Sequence, residues 1–249
     1  MKVKERALRY LLLAILLTLP FASNARVYLV SVGIADYSRF PSKKISNLNL
    51  TVNDAKTMVN LYSKNTNVDY SLLLNEKATK DRIVRAIKKV FNMASKDDIV
   101  MFFFSGHGYT GGLCASDGLL TYKEIRKAMA QCKCPNKIMM IDACRAGGLR
   151  VDDKKSQQAT SDAKKANVML FLSSRNNENS IERLDMKNGL FTNFLYKGLT
   201  GSADVNHDRV ITAKELFDYV HENVAKESIE KQHPVMWGKF SNNMPVMKW

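Results

Sequence analysis

The feature that most constrains this chain is a pair of unbroken apolar runs on either side of a capped helix. Asp98-Ile-Val-Met-Phe-Phe-Phe104 and Lys137-Ile-Met-Met-Ile-Asp142 show no polar alternation. A strand that reads this way is covered on both faces, as in a parallel sheet layered with helices. Between them, Thr121-Tyr-Lys-Glu-Ile-Arg-Lys-Ala-Met129 carries Thr121 and Glu124 at capping-box spacing. A strand–helix–strand unit places its two strands parallel in one sheet. Their carboxyl ends then share an edge, where open α/β sheets bind ligands.

His107 follows the first run within Ser105-Gly-His-Gly108, and Cys144 follows the second within Asp142-Ala-Cys-Arg-Ala-Gly147. Topology alone brings an imidazole and a thiol to one rim. A thiol attacks carbonyl carbon as its thiolate and needs a base beside it. His107 can take that proton and return it to a leaving amine. The amides of Gly108 and Cys144 are the candidates for holding a developing oxyanion.

The rest of the chain repeats the strand–helix alternation. Residues 26–33 and 168–172 predict buried strands, and Tyr70–Leu74 a shorter one. Residues 53–62, a segment capped by Thr79, residues 190–199 and residues 212–228 predict amphipathic helices. The tail from Pro234 predicts irregular backbone or a short strand pair. The pattern as a whole predicts an α/β three-layer sandwich with a mainly parallel sheet flanked by helices. Residues 26–149 form a larger catalytic part. Residues 150–167 are a polar, basic linker almost without apolar residues, and 168–249 a smaller part completing the same sheet.

Residues 1–25 read differently. A basic start is followed by a ten-residue run from Tyr10 to Leu19, Pro20, and small residues ending at Ala25. These are the three parts of a cleavable signal peptide, and the apolar run is short for a membrane span. A secreted or periplasmic protein without a stable span after cleavage is expected. The net charge is +14, and removing the four basic and one acidic residue of this segment leaves +11. The basic residues are dispersed, with no aromatic-interleaved stripe, so nucleic acid is not an expected partner. Of four cysteines, Cys132 and Cys134 are too close to pair with each other; Cys114 with either is compatible with the spacing.

The paired motifs, with the Val-Gly-Ile opening strand and Asn53-Asp-Ala55, resemble the caspase-like clan of cysteine peptidases: caspases, metacaspases, paracaspases and, more distantly, clostripain and gingipains. The resemblance spans roughly residues 26–240. It implies a cysteine endopeptidase acting on protein or peptide substrates with a Cys144–His107 dyad and no required cofactor. Caspases have Gln two residues before the nucleophile; here it is Asp142, as in the members that cleave after Arg or Lys. The resemblance also implies a second pocket carboxylate at Asp54, a pocket serine at Ser105, and a cleft wall in Ser173–Ser180, including Ser173. Carboxylates at a pocket floor suit a guanidinium through charge-assisted bonds. Members of the clan are often cut between their two parts, which makes Arg150, Lys154, Lys155, Lys164 and Lys165 candidate self-cleavage sites.

Asp204, Asn206, Asp208 and Glu215 occupy the first, third, fifth and twelfth positions of a loop resembling an EF-hand, a candidate Ca²⁺ site. Arg209 stands where such a loop favours glycine. Two alternatives to a peptidase remain at the level of sequence: a catalytically silent interaction module, and a calcium-binding regulatory domain.

Overall fold

The alternation of apolar runs and amphipathic segments folds into one layered body. The computed structural model describes residues 25–42, 45–109, 111–143, 168–175, 178, 180–183 and 185–248. The signal segment up to residue 24, Cys144 and the 150–167 segment with its candidate cleavage sites lie outside the described residues.

In chain order the first half contains β1 (Val27–Gly33), α1 (Thr51–Asn65), β2 (Val68–Leu74), α2 (Lys80–Phe91), β3 (Ile99–Ser105), β4 (Gly108–Tyr109), β5 (Gly112–Ala115), β6 (Gly118–Thr121), α3 (Tyr122–Ala130) and β7 (Asn136–Asp142). The second half contains β8 (Val168–Leu172), α4 (Leu190–Lys197), β9 (Val210–Thr212), α5 (Ala213–Glu227), β10 (Val235–Gly238) and β11 (Pro245–Lys248).

Six strands form the central sheet in the order β10-β8-β7-β3-β1-β2. All neighbours are parallel except β10, which runs antiparallel to β8. Every residue of β1, β3 and β8 is buried, which explains the absence of alternation in their sequences. Successive side chains point to opposite faces. Tyr28, Val30, Val100 and Phe102 pack with Ile83 and Ile87 of α2 and Ile125 and Ala128 of α3. Val27, Leu29, Met101 and Phe103 pack instead with Met58 of α1, Phe191 of α4 and Val220 of α5. Among the described residues two helices therefore cover one face and three the other.

The helix boundaries follow their caps. Thr79 accepts from the Arg82 amide, and Thr121–Glu124 and Thr212–Glu215 both close capping boxes. The predicted 190–199 helix is α-helical to Lys197 and then passes into a π-helical turn over Gly198–Ser202. The tail departs from a local strand pair: β10 joins the main sheet, while β11 pairs with the distant β9. Residues 108–121 add a small antiparallel meander on the rim, β4-β5-β6. Its short strands carry little periodicity and were not foreseen. Cys114, Cys132 and Cys134 are all buried free thiols, so Cys114 forms no disulfide with either neighbour. Among the described residues no helix is long and apolar enough to cross a membrane.

Candidate active site

β1 and β3 lie side by side although their following connections lead to helices on opposite faces, which makes their carboxyl ends the topological switch point. The register sets Gly33 against Ser105 and Ser105 against Asp142. The ladder continues one residue past the strands, because the Gly106 amide donates to the Asp142 carbonyl at 3.1 Å. That bond delivers His107 beside the Asp142–Ala143 end.

His107 is held through its backbone and its ring. Its amide donates to the Tyr37 hydroxyl at 2.7 Å, and the Tyr37 hydroxyl donates to the Cys114 carbonyl at 3.2 Å. The two rings lie 4.8 Å apart between centroids. A Cβ on Gly106 would stand 2.5 Å from the Tyr37 hydroxyl oxygen, so this close approach requires glycine. Nε2 of His107 lies 2.8 Å from the Ser46 carbonyl oxygen. A carbonyl only accepts, so this bond places the neutral ring's proton on Nε2 and leaves Nδ1 as the basic nitrogen.

Cys144 lies outside the described residues, but its predecessor is fixed. Ala143 is buried, its amide donates to Ser173 Oγ at 3.1 Å, and Ser173 Oγ donates to the Ala143 carbonyl at 3.0 Å. Ser173 is itself fully buried. Its hydroxyl thus clamps Ala143, the residue before Cys144 in the chain. Gly108 opens β4 and pairs with Leu113 of β5.

The cleft at His107 opens to solvent and is lined among others by Thr51, Asp54, Ser105, Asp142, Ser180, Glu182 and Gly189. Asp54 and Asp142 are both buried. Oδ2 of Asp54 accepts from Ser105 Oγ at 2.7 Å; Oδ1 accepts from Asn188 Nδ2 at 2.8 Å and the Gly189 amide at 3.0 Å. Oδ2 of Asp142 accepts from Thr192 Oγ1 at 2.7 Å and the Thr192 amide at 3.2 Å, and Oδ1 accepts from Ser180 Oγ. Burial, then the charge of Asp142, pushes the Asp54 carboxyl up to about 8. Burial likewise raises Asp142 above the usual carboxylate range. Among the described residues neither forms an ion pair. Two acids squeezed together without a cation favour any positive group that enters.

The sequence motifs reached His107, Asp142, Asp54 and Ser105, and the fold brings these four together. They did not reach Tyr37, the Ser46 carbonyl, Asn188, Gly189 or Thr192. Nor did they reach Thr51, whose buried Oγ1 lines the cleft without a hydrogen-bond partner among the described residues. A backbone carbonyl leaves no trace in residue identity. The others sit in segments without a motif.

The EF-hand-like loop is remote in character from this cleft. Asp204 accepts from the Asp208 and Arg209 amides, Asn206 Oδ1 from the Asp208 amide, and Asp208 from the Val210 amide. Glu215 is bonded to Thr212 in the capping box of α5. Arg209 adopts φ +64°, the left-handed conformation that glycine would take more easily. The side-chain oxygens of Asp204, Asn206, Asp208 and Glu215 thus accept from the loop's own amides and the helix cap. Among the described residues no three His, Cys, Asp or Glu side chains gather as a metal site.

A profile of the caspase domain matches residues 28–244. No curated protein matches the chain in sequence. Among solved structures, caspase-1 from Spodoptera frugiperda superimposes with a TM-score of 0.64 at 15% identity, covering 90% of this chain and 89% of its own. A Geobacter sulfurreducens protein from structural genomics superimposes with a TM-score of 0.60 at 16% identity, covering 87% of this chain and 93% of its own. At such identities the likeness speaks for the fold, and the profile match speaks for the family. This chain belongs to the caspase domain family.

Proposed function

We propose that the chain is an exported cysteine endopeptidase that cleaves after Arg or Lys. The observation that carries this reading is the buried Asp54–Asp142 pair, without a cationic partner among the described residues, at the floor of the cleft below His107. A guanidinium or ammonium from the substrate would complete the pair, with charge-assisted hydrogen bonds to both acids. The caspase reaction on Asp would instead set a third carboxylate against two.

In this reading Nδ1 of His107 takes the proton of the Cys144 thiol. The thiolate then attacks the carbonyl carbon of the basic residue itself, with the Gly108 and Cys144 amides facing the oxyanion. The imidazolium gives its proton to the leaving amine as the C–N bond breaks. Water, deprotonated by the same imidazole, hydrolyses the thioester and frees the thiolate. The basic residues of the 150–167 segment fit the same preference, which makes self-processing there part of the proposal. The signal segment ending near Ala25 supplies the export.

The test is hydrolysis of paired acyl-Arg and acyl-Asp fluorogenic peptides by the mature protein and by Cys144→Ala, with and without Ca²⁺. Turnover of the Arg peptide that vanishes in the variant supports the reading. Turnover of the Asp peptide alone overturns the specificity. Turnover of neither, in reduced and linker-cleaved protein, favours an interaction module.

A further inference from the structure

Glu182 belongs to none of the sequence motifs, yet it touches two parts of the site at once. We infer that Glu182 is a positioning residue, a link that ties the cleft wall to the segment holding the His107 imidazole.

Its two carboxylate oxygens accept from consecutive backbone amides across the cleft, Oε2 from Asn49 and Oε1 from Leu50, each at 3.1 Å. Leu50 is the N-cap of α1 and makes no side-chain capping bond of its own. The first amides of a helix need acceptors, and its positive end favours an anion. A carboxylate from 132 positions further along the chain therefore meets that need in place of a local side chain.

The segment it secures leads in two directions. Forward, α1 carries Asp54 within its first turn. Backward, four residues before Leu50, Ser46 presents the carbonyl that receives Nε2–H of His107. Glu182 is itself held on a firm base. The amide of Ile181 donates to Oε1 of the buried Gln232 at 2.9 Å, and the Ile181 carbonyl accepts from the Leu190 amide at 3.0 Å. The connection after β8 thus reaches over the cleft and fixes both the acid that would bind substrate and the carbonyl that orients the base. The charged groups around it are the floor acids Asp54 and Asp142, and the charge of Glu182 contributes to raising Asp142.

The kinetic side of this inference rests on the peptidase reading; the structural side does not. The test is the tautomer of His107 in nitrogen-15 histidine-labelled mature protein, from long-range proton–nitrogen correlations at alkaline pH, in wild type, Glu182→Gln and Glu182→Ala. Wild type is expected as the Nε2–H form. Glu182→Ala is expected to lose that preference toward a mixture, with kcat for the acyl-Arg peptide falling roughly 10- to 100-fold, less than the roughly 10²- to 10⁴-fold of a whole general acid–base contribution because the base is misplaced and not removed, and KM changing less. Glu182→Gln keeps one acceptor oxygen and should fall between. An unchanged tautomer in a folded variant overturns the inference, even if kcat falls, because that loss would then reflect cleft shape alone. Should Glu182→Ala not fold, the tautomer in Glu182→Gln decides by itself. Should wild type turn over no peptide, a tautomer shift still upholds the link while the peptidase reading fails.

Discussion

Asp54 and Asp142 press their carboxylates against the same backbone, that of Gly189. The Gly189 amide donates to Asp54, and a Cβ built there would lie 2.9 Å from Asp142 Oδ2 and 3.3 Å from Asp54 Oδ2. Gly189→Ala must therefore push the acids apart or lose the amide bond. The expected cost is about 1–3 kcal/mol of stability, typical of overpacking a tight site. A loss of agmatine binding of about tenfold or more is also expected, from the roughly 1.4 kcal/mol that separates each decade. Thermal unfolding and calorimetric titration check the two effects separately; unchanged agmatine affinity would remove Gly189 from the pocket.

The acids also predict a direction with pH. A cationic ligand favours the ionised pair, so below about pH 8 its binding should expel a proton from the Asp54 site. Agmatine affinity should rise with pH toward about 8 and level off above. Calorimetry in buffers of different ionisation enthalpy reads the proton release directly. Stability runs the other way. Below the ordinary carboxylate range both folded and unfolded chains are protonated at Asp54. As pH climbs toward about 8 the unfolded chain ionises first, and this group's contribution disfavours folding by at most about 1.4 kcal/mol per pH unit. Asp54→Asn should flatten both dependences, since its amide oxygen can still accept from Asn188 and Gly189.

The Ser173 hydroxyl both accepts from and donates to Ala143. Ser173→Ala leaves that buried amide without its acceptor and the carbonyl with only the longer bond from Ser174 Oγ at 3.5 Å. The expected destabilisation is about 1–3 kcal/mol, accompanied by a lower kcat with KM little changed, because Cys144 is the next residue. A full set of wild-type kinetic constants in Ser173→Ala would show that the clamp is dispensable.

Tyr37 supports His107 from below. Tyr37→Phe keeps the ring contact and removes the acceptor of the His107 amide, a loss of about 1–2 kcal/mol in a buried setting. Hydrogen exchange of the His107 amide should accelerate in the variant. Equal protection would mean that another acceptor takes over.

The three described thiols give a chemical prediction. Burial pushes Cys114 and Cys134 up to about 11, and the Cys132 side chain is sterically out of reach of reagent, at 3% exposure. Iodoacetamide at neutral pH should leave all three unmodified in the folded protein and alkylate them after denaturation. Mass spectrometry of peptic fragments distinguishes these outcomes.

The sheet was legible because burial on both faces erases alternation. Residues 98–104, 137–142 and 168–172 could hardly be anything but central strands, and each appears within a residue or two. Helices announced themselves through apolar spacing and, at Thr79 and Thr121, through their caps. The floor acids were reached through motifs. The walls were not, because Glu182, Asn188 and Gly189 act through bonds to residues more than 130 positions away. The tail was misjudged for the same reason: β11 finds its partner in β9, across α5. Local pattern carries no record of such distant pairings.

The pairing of β7 with β8 has one more consequence. Five register pairs join them, from Lys137 with Val168 to Ile141 with Leu172, in the middle of a sheet covered on both faces. Cutting the chain between Ala143 and Val168 breaks none of these contacts. Two separately expressed fragments meeting at this seam should reassemble without a covalent join, each useless alone.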